Sequence, residues 1–520
     1  GCDSEDCLAA FVAIAKHHGR LPNVEEYVDG VSRFENESEA NNERQRVVIE
    51  QVRNVNDHRR AFAQSFVADT TDGAGSWDEF VAEITDKSLF GTVYEHFDRF
   101  SFGSDRSNPS EAFYQVLLQL WSGLILADKT TAAGVEDGNL TATEPDLRVL
   151  SEYIDDLGGN SANDSQTEAL NQLREEARQG VFAGVETFRD SEGSTATLTL
   201  PTGMGKTLTG LSAALELRDD GGRVIYALPF TSVIDQVADE LTEVFDSDGR
   251  GDLLTIHHHL AETVTEPDED ENEGTDEDAR LAEMVAESWR SGLTLTTFVQ
   301  LFESLVGPGN TQSMKLPALY DSVIVLDEPQ ALPMKWWKLV RRITTILTEE
   351  YDATVVAMTA TQPALFDNAF ELVDDVDRYF DHFERVEYEV HDSALAFDDT
   401  DAPVDYEVAG STILDETGRV DSALAICNTI DSAAALTDTI EEQEAVVDVG
   451  HLLTETLEAR SVESYGVAGE GLGGDGTAED RIDVDALVER VESALGPNDR
   501  ALVPLSTRLR PRDRLALIEA

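Results

Sequence analysis

From residue 195 onward, short apolar runs at 195–200, 224–228, 293–296, 323–326 and 354–358 alternate with amphipathic stretches of helical period. A strand that is apolar on both faces must be covered on both. Helices between successive strands do this and make the strands run parallel. The pattern therefore predicts a doubly wound parallel sheet. In such a sheet the loops at the C-terminal strand ends line one crevice, so the residues just after each apolar run are the candidates for chemistry.

After the first run, Leu198-Thr199-Leu200, comes Pro201-Thr202-Gly203-Met204-Gly205-Lys206-Thr207, and then a helix-like segment, 208–217. A strand, a glycine turn and a helix start make a phosphate cradle: backbone N–H groups point inward and the helix N-terminus adds partial positive charge. Lys206 then reaches β- and γ-phosphates, and the Thr207 hydroxyl sits on Mg²⁺. The strict spacing wants Gly at position 200, where this chain has Leu. The run 323–326 ends in Asp327-Glu328-Pro329-Gln330. There Asp327 can hold Mg²⁺ through water and Glu328 can orient or deprotonate an attacking water. Thr359-Ala360-Thr361 closes the run 354–358, and Leu228-Pro229-Phe230 and Thr296-Thr297-Phe298 close two others. Hydroxyls and helix starts on that side suit phosphate-backbone contacts without base reading.

The chain has 520 residues, too many for one core, and carries 104 Asp and Glu against 38 Lys and Arg, a net charge of −66. Only 7 of the cations are Lys. Such a surface repels nucleic acid in dilute salt. In molar salt, where the Debye length falls to ~3 Å, it does not, so the composition points to a halophile. No apolar run approaches the ~20 residues of a membrane span. No secretory signal is visible, and the three cysteines, Cys2, Cys7 and Cys427, form no disulfide or metal framework. These features point to a reducing cytoplasm.

Residues 1–156 show helical spacing with few β-branched runs, which predicts an all-α domain with polar loops at 34–48 and 68–76. A soft stretch, 157–165, leads to the α/β part, 166–390. Residues 266–278 are nearly all acidic and read as a solvated insertion. A second, partial α/β unit spans 405–520, with a first strand at 423–427, a helix at 432–440 and a Gly- and acid-rich segment at 462–480. Lys16-His17-His18 ends an early amphipathic helix. Adjacent imidazoles suit a divalent transition metal and equally suit a polar surface. His257-His258-His259 is a rival metal candidate. Trp336-Trp337, among Lys335, Lys338, Arg341 and Arg342, suits either stacking on single-stranded DNA or packing against the sheet.

The series PTGMGKT, ALPFTSVIDQ, TTFVQLFESL, VLDEPQALP and MTATQP resembles a superfamily 2 helicase. More narrowly it is similar to the haloarchaeal CRISPR-associated nuclease–helicases of type I interference. Residues 424–429 and 505–514 are similar to segments of that family's second lobe. The resemblance implies a multidomain chain: an all-α HD-type nuclease domain followed by two RecA-like helicase lobes, the second incomplete. It implies ATP and Mg²⁺ as ligands of Pro201 through Thr207 with Gln330, Thr359 and Thr361, and catalysis by Lys206, Asp327 and Glu328. It maps the HD metal ligands onto His17, His18 and Asp128, with single-stranded DNA and a CRISPR RNA-guided surveillance complex as partners. The family's earlier His and His-Asp ligands, and the phosphate-sensing and Arg-bearing motifs of the second lobe, have no counterpart in residues 1–520. The resemblance thus implies a fragment that binds ATP weakly and turns it over poorly, and in which the metal centre does not assemble without those earlier ligands, so that the nuclease activity belongs to the parent protein. The alternatives are another superfamily 2 helicase with an unrelated helical N-domain, or a truncated chain that only binds DNA.

Overall fold

The computed structural model describes residues 5–21, 39–71, 73–86, 110–133, 143–160, 165–191, 193–245, 253–258, 284–307, 309–361, 365–366, 368–381, 405–417, 422–443, 446–453, 500–505 and a few positions between 488 and 495. The acidic stretch 266–278, His259, the segment 462–480 and residues 506–514 lie outside the described residues. The chain divides into two compact units, 1–384 and 385–520.

The sheet of the first unit is parallel throughout. Its strands are β1 (Thr195–Thr199), β2 (Val224–Leu228), β3 (Leu254–His257), β4 (Leu293–Thr297), β5 (Val323–Asp327), β6 (Thr354–Thr359) and β7 (Phe370–Glu371), in the spatial order β3-β4-β2-β5-β6-β1-β7. Alternate side chains supply two cores. Val224 and Tyr226 of β2, Val323 and Val325 of β5, and Val356 and Met358 of β6 pack on one side. Ile225, Ala227, Ile324, Leu326 and Val355 pack on the other. This two-sided burial is why the strands read as unbroken apolar runs.

Among the described residues the helices that precede or open the sheet are α1 (Glu5–Lys16), α2 (Glu39–Thr70), α3 (Trp77–Thr85), α4 (Glu111–Ala133), α5 (Leu147–Asn160) and α6 (Ser165–Arg189). The polar stretch read as a loop at 34–48 is helical from Glu39 onward. Its Glu, Gln and Arg are good helix formers, but with no apolar stripe they show no period. α1 and α4 share a core of Ala9, Val12, Ala13, Phe113, Leu117, Trp121 and Ile125, which Met314 from the α/β part also enters. α5 and α6 lie on the sheet, where Leu150, Val181 and Val185 join its core. The crossovers are α7 (Lys206–Leu217), α8 (Thr231–Phe245), α9 (Phe298–Val306) and α10 (Trp337–Glu350).

In the second unit α11 (Val376–Asp381) has no part, since it closes the first; there α12 (Tyr406–Thr417) packs on α13 (Ile430–Gln443), and β8 (Val446–Asp448) pairs in parallel with β9 (Arg500–Leu502). The strand expected at 423–427 is not formed: among the described residues the stretch has no ladder partner, and Leu424 and Ile426 are 84% and 87% exposed. An apolar run becomes a strand only when a neighbour accepts its hydrogen bonds.

Candidate nucleotide site and metal centre

Strand order brings the first site together. After β1 the chain crosses β6 and β5 to reach β2, so the loops following β1, β5 and β6 sit side by side at one sheet edge. Gly203 and Gly205 in the first loop have φ of 84° and 71°, left-handed values that glycine adopts without steric cost. Gly205 caps α7, and Lys206 is its first residue. Met204 is fully buried beneath the loop, while Thr202, Gly203 and Gly205 are exposed and Pro201 is buried. Leu200 is fully buried, and its N–H reaches the Thr359 carbonyl at 3.4 Å. The residue that breaks the strict motif therefore extends the β1–β6 ladder and fills the core.

Lys206 Nζ donates to Glu328 Oε1 at 2.6 Å. Glu328 also accepts from Gln330 Nε2, and the Thr359 side chain beside it helps lower its carboxyl, so residues from three strand ends meet around one carboxylate. Burial raises the Glu328 carboxyl, but the hydrogen bonds from Lys206 and Gln330 outweigh it and hold the group below the usual carboxylate range. Glu328 itself has φ 54°, a left-handed conformation worth about 1–3 kcal/mol of strain in a non-glycine residue. Asp327 is 5% exposed and accepts from Tyr226 Oη at 2.9 Å. Burial lifts its carboxyl to about 6; the Tyr226 hydrogen bond and the Lys206 charge oppose the rise, and the Glu328 charge adds to it. Burial, and then the Asp327 charge, push the Tyr226 hydroxyl far up, so it stays a donor. The Thr207 side chain also acts on the Tyr226 hydroxyl, opposing its rise. Thr359 is buried, and its Oγ1 accepts from the Thr361 N–H at 3.0 Å.

Three participants were not anticipated. Tyr226 is a lone hydroxyl within an otherwise apolar strand, and that was its signal. Arg174 on α6 donates to the Gly203 carbonyl from Nε at 3.0 Å and Nη2 at 2.7 Å, clamping the loop; nothing in an amphipathic helix marks such a residue. Glu371 on β7 accepts from Thr197 Oγ1 at 3.0 Å, Thr199 N at 3.0 Å and Thr199 Oγ1 at 2.6 Å, fixing the strand that feeds the loop.

The second site lies between α1 and α4. His17, His18 and Asp128 present ligand atoms that all lie within 4.8 Å of one another, although 110 positions separate His18 from Asp128 in sequence. His18 Nδ1 is 3.7 Å from Asp128 Oδ2. His17 Nδ1 is 2.6 Å from the Ile14 carbonyl. A carbonyl only accepts, so Nδ1 carries the proton and Nε2 keeps its lone pair for a ligand bond. Two imidazoles and a carboxylate fit a divalent transition metal. Among the described residues this is the one such group.

Of the rival histidines, two lie among the described residues. His257 and His258 are buried, and His258 Nε2 lies 3.5 Å from Asp235. Burial drives His257 down to about 3, keeping it neutral. The tryptophan cluster is largely structural: Trp337 Nε1 donates to the Leu332 carbonyl at 2.9 Å, and Arg341 Nε to the Leu365 carbonyl at 2.7 Å. Arg342 Nε donates to Glu111 at 2.7 Å. Trp336 is 48% exposed with Lys335 over its ring.

Residues 160–364 match the family model of the Type III restriction enzyme res subunit. The curated CRISPR-associated nuclease/helicase Cas3 of Haloferax volcanii is 34% identical over 577 aligned residues, which take in 99% of this chain. The chain is Cas3-like in sequence along nearly its whole length. It spans 60% of the length of that relative. The crystal structures of T. fusca Cas3-ATP and Cas3-AMPPNP align with TM-scores of 0.39 and 0.38 at 14% and 15% identity, over 84% and 82% of this chain and 56% of each of theirs. The chain's own elements are a helical N-terminal region followed by a parallel-sheet α/β domain, and the family match at 160–364 falls on that α/β domain. Among the described residues no helix is long and apolar enough to cross a membrane.

Proposed function

We propose that this Cas3-like chain carries the ATP-hydrolysing part of a single-stranded DNA translocase, joined to an HD-type metal nuclease centre. The observation that supports the reading most strongly is the meeting of Lys206, Asp327 and Glu328 at one edge of the sheet, with Lys206 and Glu328 2.6 Å apart. Lys206 serves the β- and γ-phosphates, with the Pro201–Thr207 backbone as cradle. Glu328, held ionised, orients the attacking water. Thr207 and Asp327 are the side chains for Mg²⁺, which supplies charge neutralisation of the phosphates when bound. Thr359 and Thr361 join this edge to the next segment of chain, and Gln330 holds the second Glu328 oxygen.

In the helical region His17, His18 and Asp128 hold the divalent metal, which supplies Lewis acidity toward a phosphodiester when bound. His17, tautomer fixed by Ile14, and His18 offer neutral nitrogen, and Asp128 offers charge. Thr297 at the end of β4 and Gln300 in the first turn of α9 are the polar side chains this reading offers to a strand's phosphates. A CRISPR RNA-guided surveillance complex is the partner that delivers the DNA, and the acidic surface suits the cytoplasm of a halophile.

The test separates the two activities in the protein that carries this chain. Lys206→Ala abolishes ATP-dependent unwinding and leaves metal-dependent cleavage of free single strands intact, while His17→Ala does the converse. Loss of free-strand cleavage in Lys206→Ala would refute the two-site reading. A related helicase with an unrelated N-domain would instead leave cleavage unchanged in His17→Ala.

A further inference from the structure

The metal triad sits on the helical region, yet one hydrogen bond to its ligand segment comes from the α/β part. Asn310 Nδ2 donates to the His17 carbonyl at 3.0 Å, across 293 positions of sequence. That carbonyl belongs to the end of α1, where the last C=O groups have no partner within the helix. The neighbouring Lys16 carbonyl is taken by Gly19 N at 2.9 Å. Asn310 Oδ1 is buried with no hydrogen-bond partner. The amide orientation is therefore set by the His17 carbonyl alone, since turning it over would set oxygen against oxygen.

The residues around Asn310 are built to hold it still. It opens the helical turn Asn310–Ser313. Gln312 Oε1 accepts from Gly309 N at 3.1 Å, and Gln312 Nε2 donates to Glu303 at 3.3 Å. Gly307 N donates to the Glu303 carbonyl at 2.7 Å, so the turn is pinned to the end of α9. Four residues on, Met314 is fully buried in the α1–α4 core. The turn thus enters the helical region as a wedge, with Met314 as its apolar anchor and Asn310 as its polar contact. A cavity of about 350 Å³ lies against the same turn, lined by Gly309, Thr311, Gln312 and Lys315 on one side, Gln300 and Glu303 of α9, and Arg20, two residues past His18.

We propose that Asn310 is a positioning residue for the metal centre. It fixes the backbone at His17, so that the imidazoles of His17 and His18 face Asp128. Through α9 and its turn it ties metal affinity to the sheet that handles the strand. This rests on the triad reading given above. Removing an outer partner of a metal ligand costs about 10–100-fold in metal affinity. Because Asn310 acts on the ligand's backbone, the lower end, about tenfold, is expected.

The experiment titrates Mn²⁺ calorimetrically, and Co²⁺ by its visible absorption, into the protein that carries this chain and into its Asn310→Ala and Asn310→Asp variants. Asp keeps the shape and replaces the donor with an acceptor. Binding of a fluorescent ATP analogue is measured in parallel as the check that the sheet is intact. Both variants are expected to bind Mn²⁺ about tenfold more weakly, with an altered Co²⁺ spectrum and unchanged ATP-analogue binding. Mn²⁺ affinity within twofold of the parent in Asn310→Asp overturns the proposal. Joint loss of metal and nucleotide binding in both variants also overturns it, because Asn310 would then be holding the fold rather than the site. His17→Ala is the separate control: if it binds Mn²⁺ as the parent does, the triad reading itself fails.

Discussion

Asp327→Asn should make the protein more stable and inactive, with a gain that depends on pH in a calculable way. Asp327 is 5% exposed, and its carboxyl is raised from the ordinary 3.8 to about 6. A raised carboxyl means that the fold disfavours the charged form. The penalty is fully present above the folded value of about 6 and vanishes below 3.8. The rise is worth about 3 kcal/mol at pH 8 and about half that at pH 5. Asparagine is neutral throughout, and its Oδ1 still accepts from Tyr226, so the substitution recovers that amount. The assay is urea unfolding of parent and variant at fixed high salt from pH 5 to 8. Taking the difference between the two chains cancels the titration of the other carboxylates. An advantage that does not shrink toward pH 5, or an Asn variant less stable than the parent at pH 8, would refute the burial argument. ATP hydrolysis is expected to fall at least a hundredfold, consistent with losing a charged group that acts in a dry site.

Glu328→Gln should bind ATP at least as tightly as the parent, since it frees Lys206 from its 2.6 Å pairing, while phosphate release is lost; a nucleotide-binding and phosphate-release pair of assays checks both. Tyr226→Phe leaves a buried carboxylate without its donor, so about 1–3 kcal/mol of stability is lost and the pH midpoint of Mg-ATP binding moves upward. A midpoint that stays put would show that Tyr226 does not govern Asp327. Gly210→Ala puts a Cβ into Met358 Sδ across the α7–β6 contact, where overpacking costs about 1–3 kcal/mol. Its thermal transition should drop, and ATP affinity should weaken with it because α7 begins at Lys206.

The sheet was legible because its strands are buried on both faces and its loops carry turn chemistry. β7 escaped notice because Phe370-Glu371 is a two-residue strand, too short to show a period. Residues 39–48 were misread because a helix polar on every face has no period either. The strand expected at 423–427 shows the opposite limit, since local apolarity does not supply a ladder partner. At the site, Lys206, Asp327 and Glu328 were legible from type and spacing. Arg174, Glu371 and Asn310 were not, because each acts through a hydrogen bond to a distant backbone group and only the tertiary fold sets that distance. The His17-His18 pair was visible as adjacent imidazoles, equally suited to a polar surface, and Asp128 came only from resemblance. Helix packing, which brings α1 against α4, is what gathers their ligand atoms.

The central claim is that one chain holds two independent centres, a nucleotide site on the sheet and a metal site on the helices. It is tested most directly by titrating an ATP analogue with Mg²⁺, and separately Mn²⁺, into the protein that carries this chain and into its Lys206→Ala and His17→Ala variants. The expected result is a clean cross: Lys206→Ala loses nucleotide binding and keeps Mn²⁺, and His17→Ala loses Mn²⁺ and keeps nucleotide. A single substitution that removes both, or a His17→Ala chain that holds Mn²⁺ undiminished, would contradict the account.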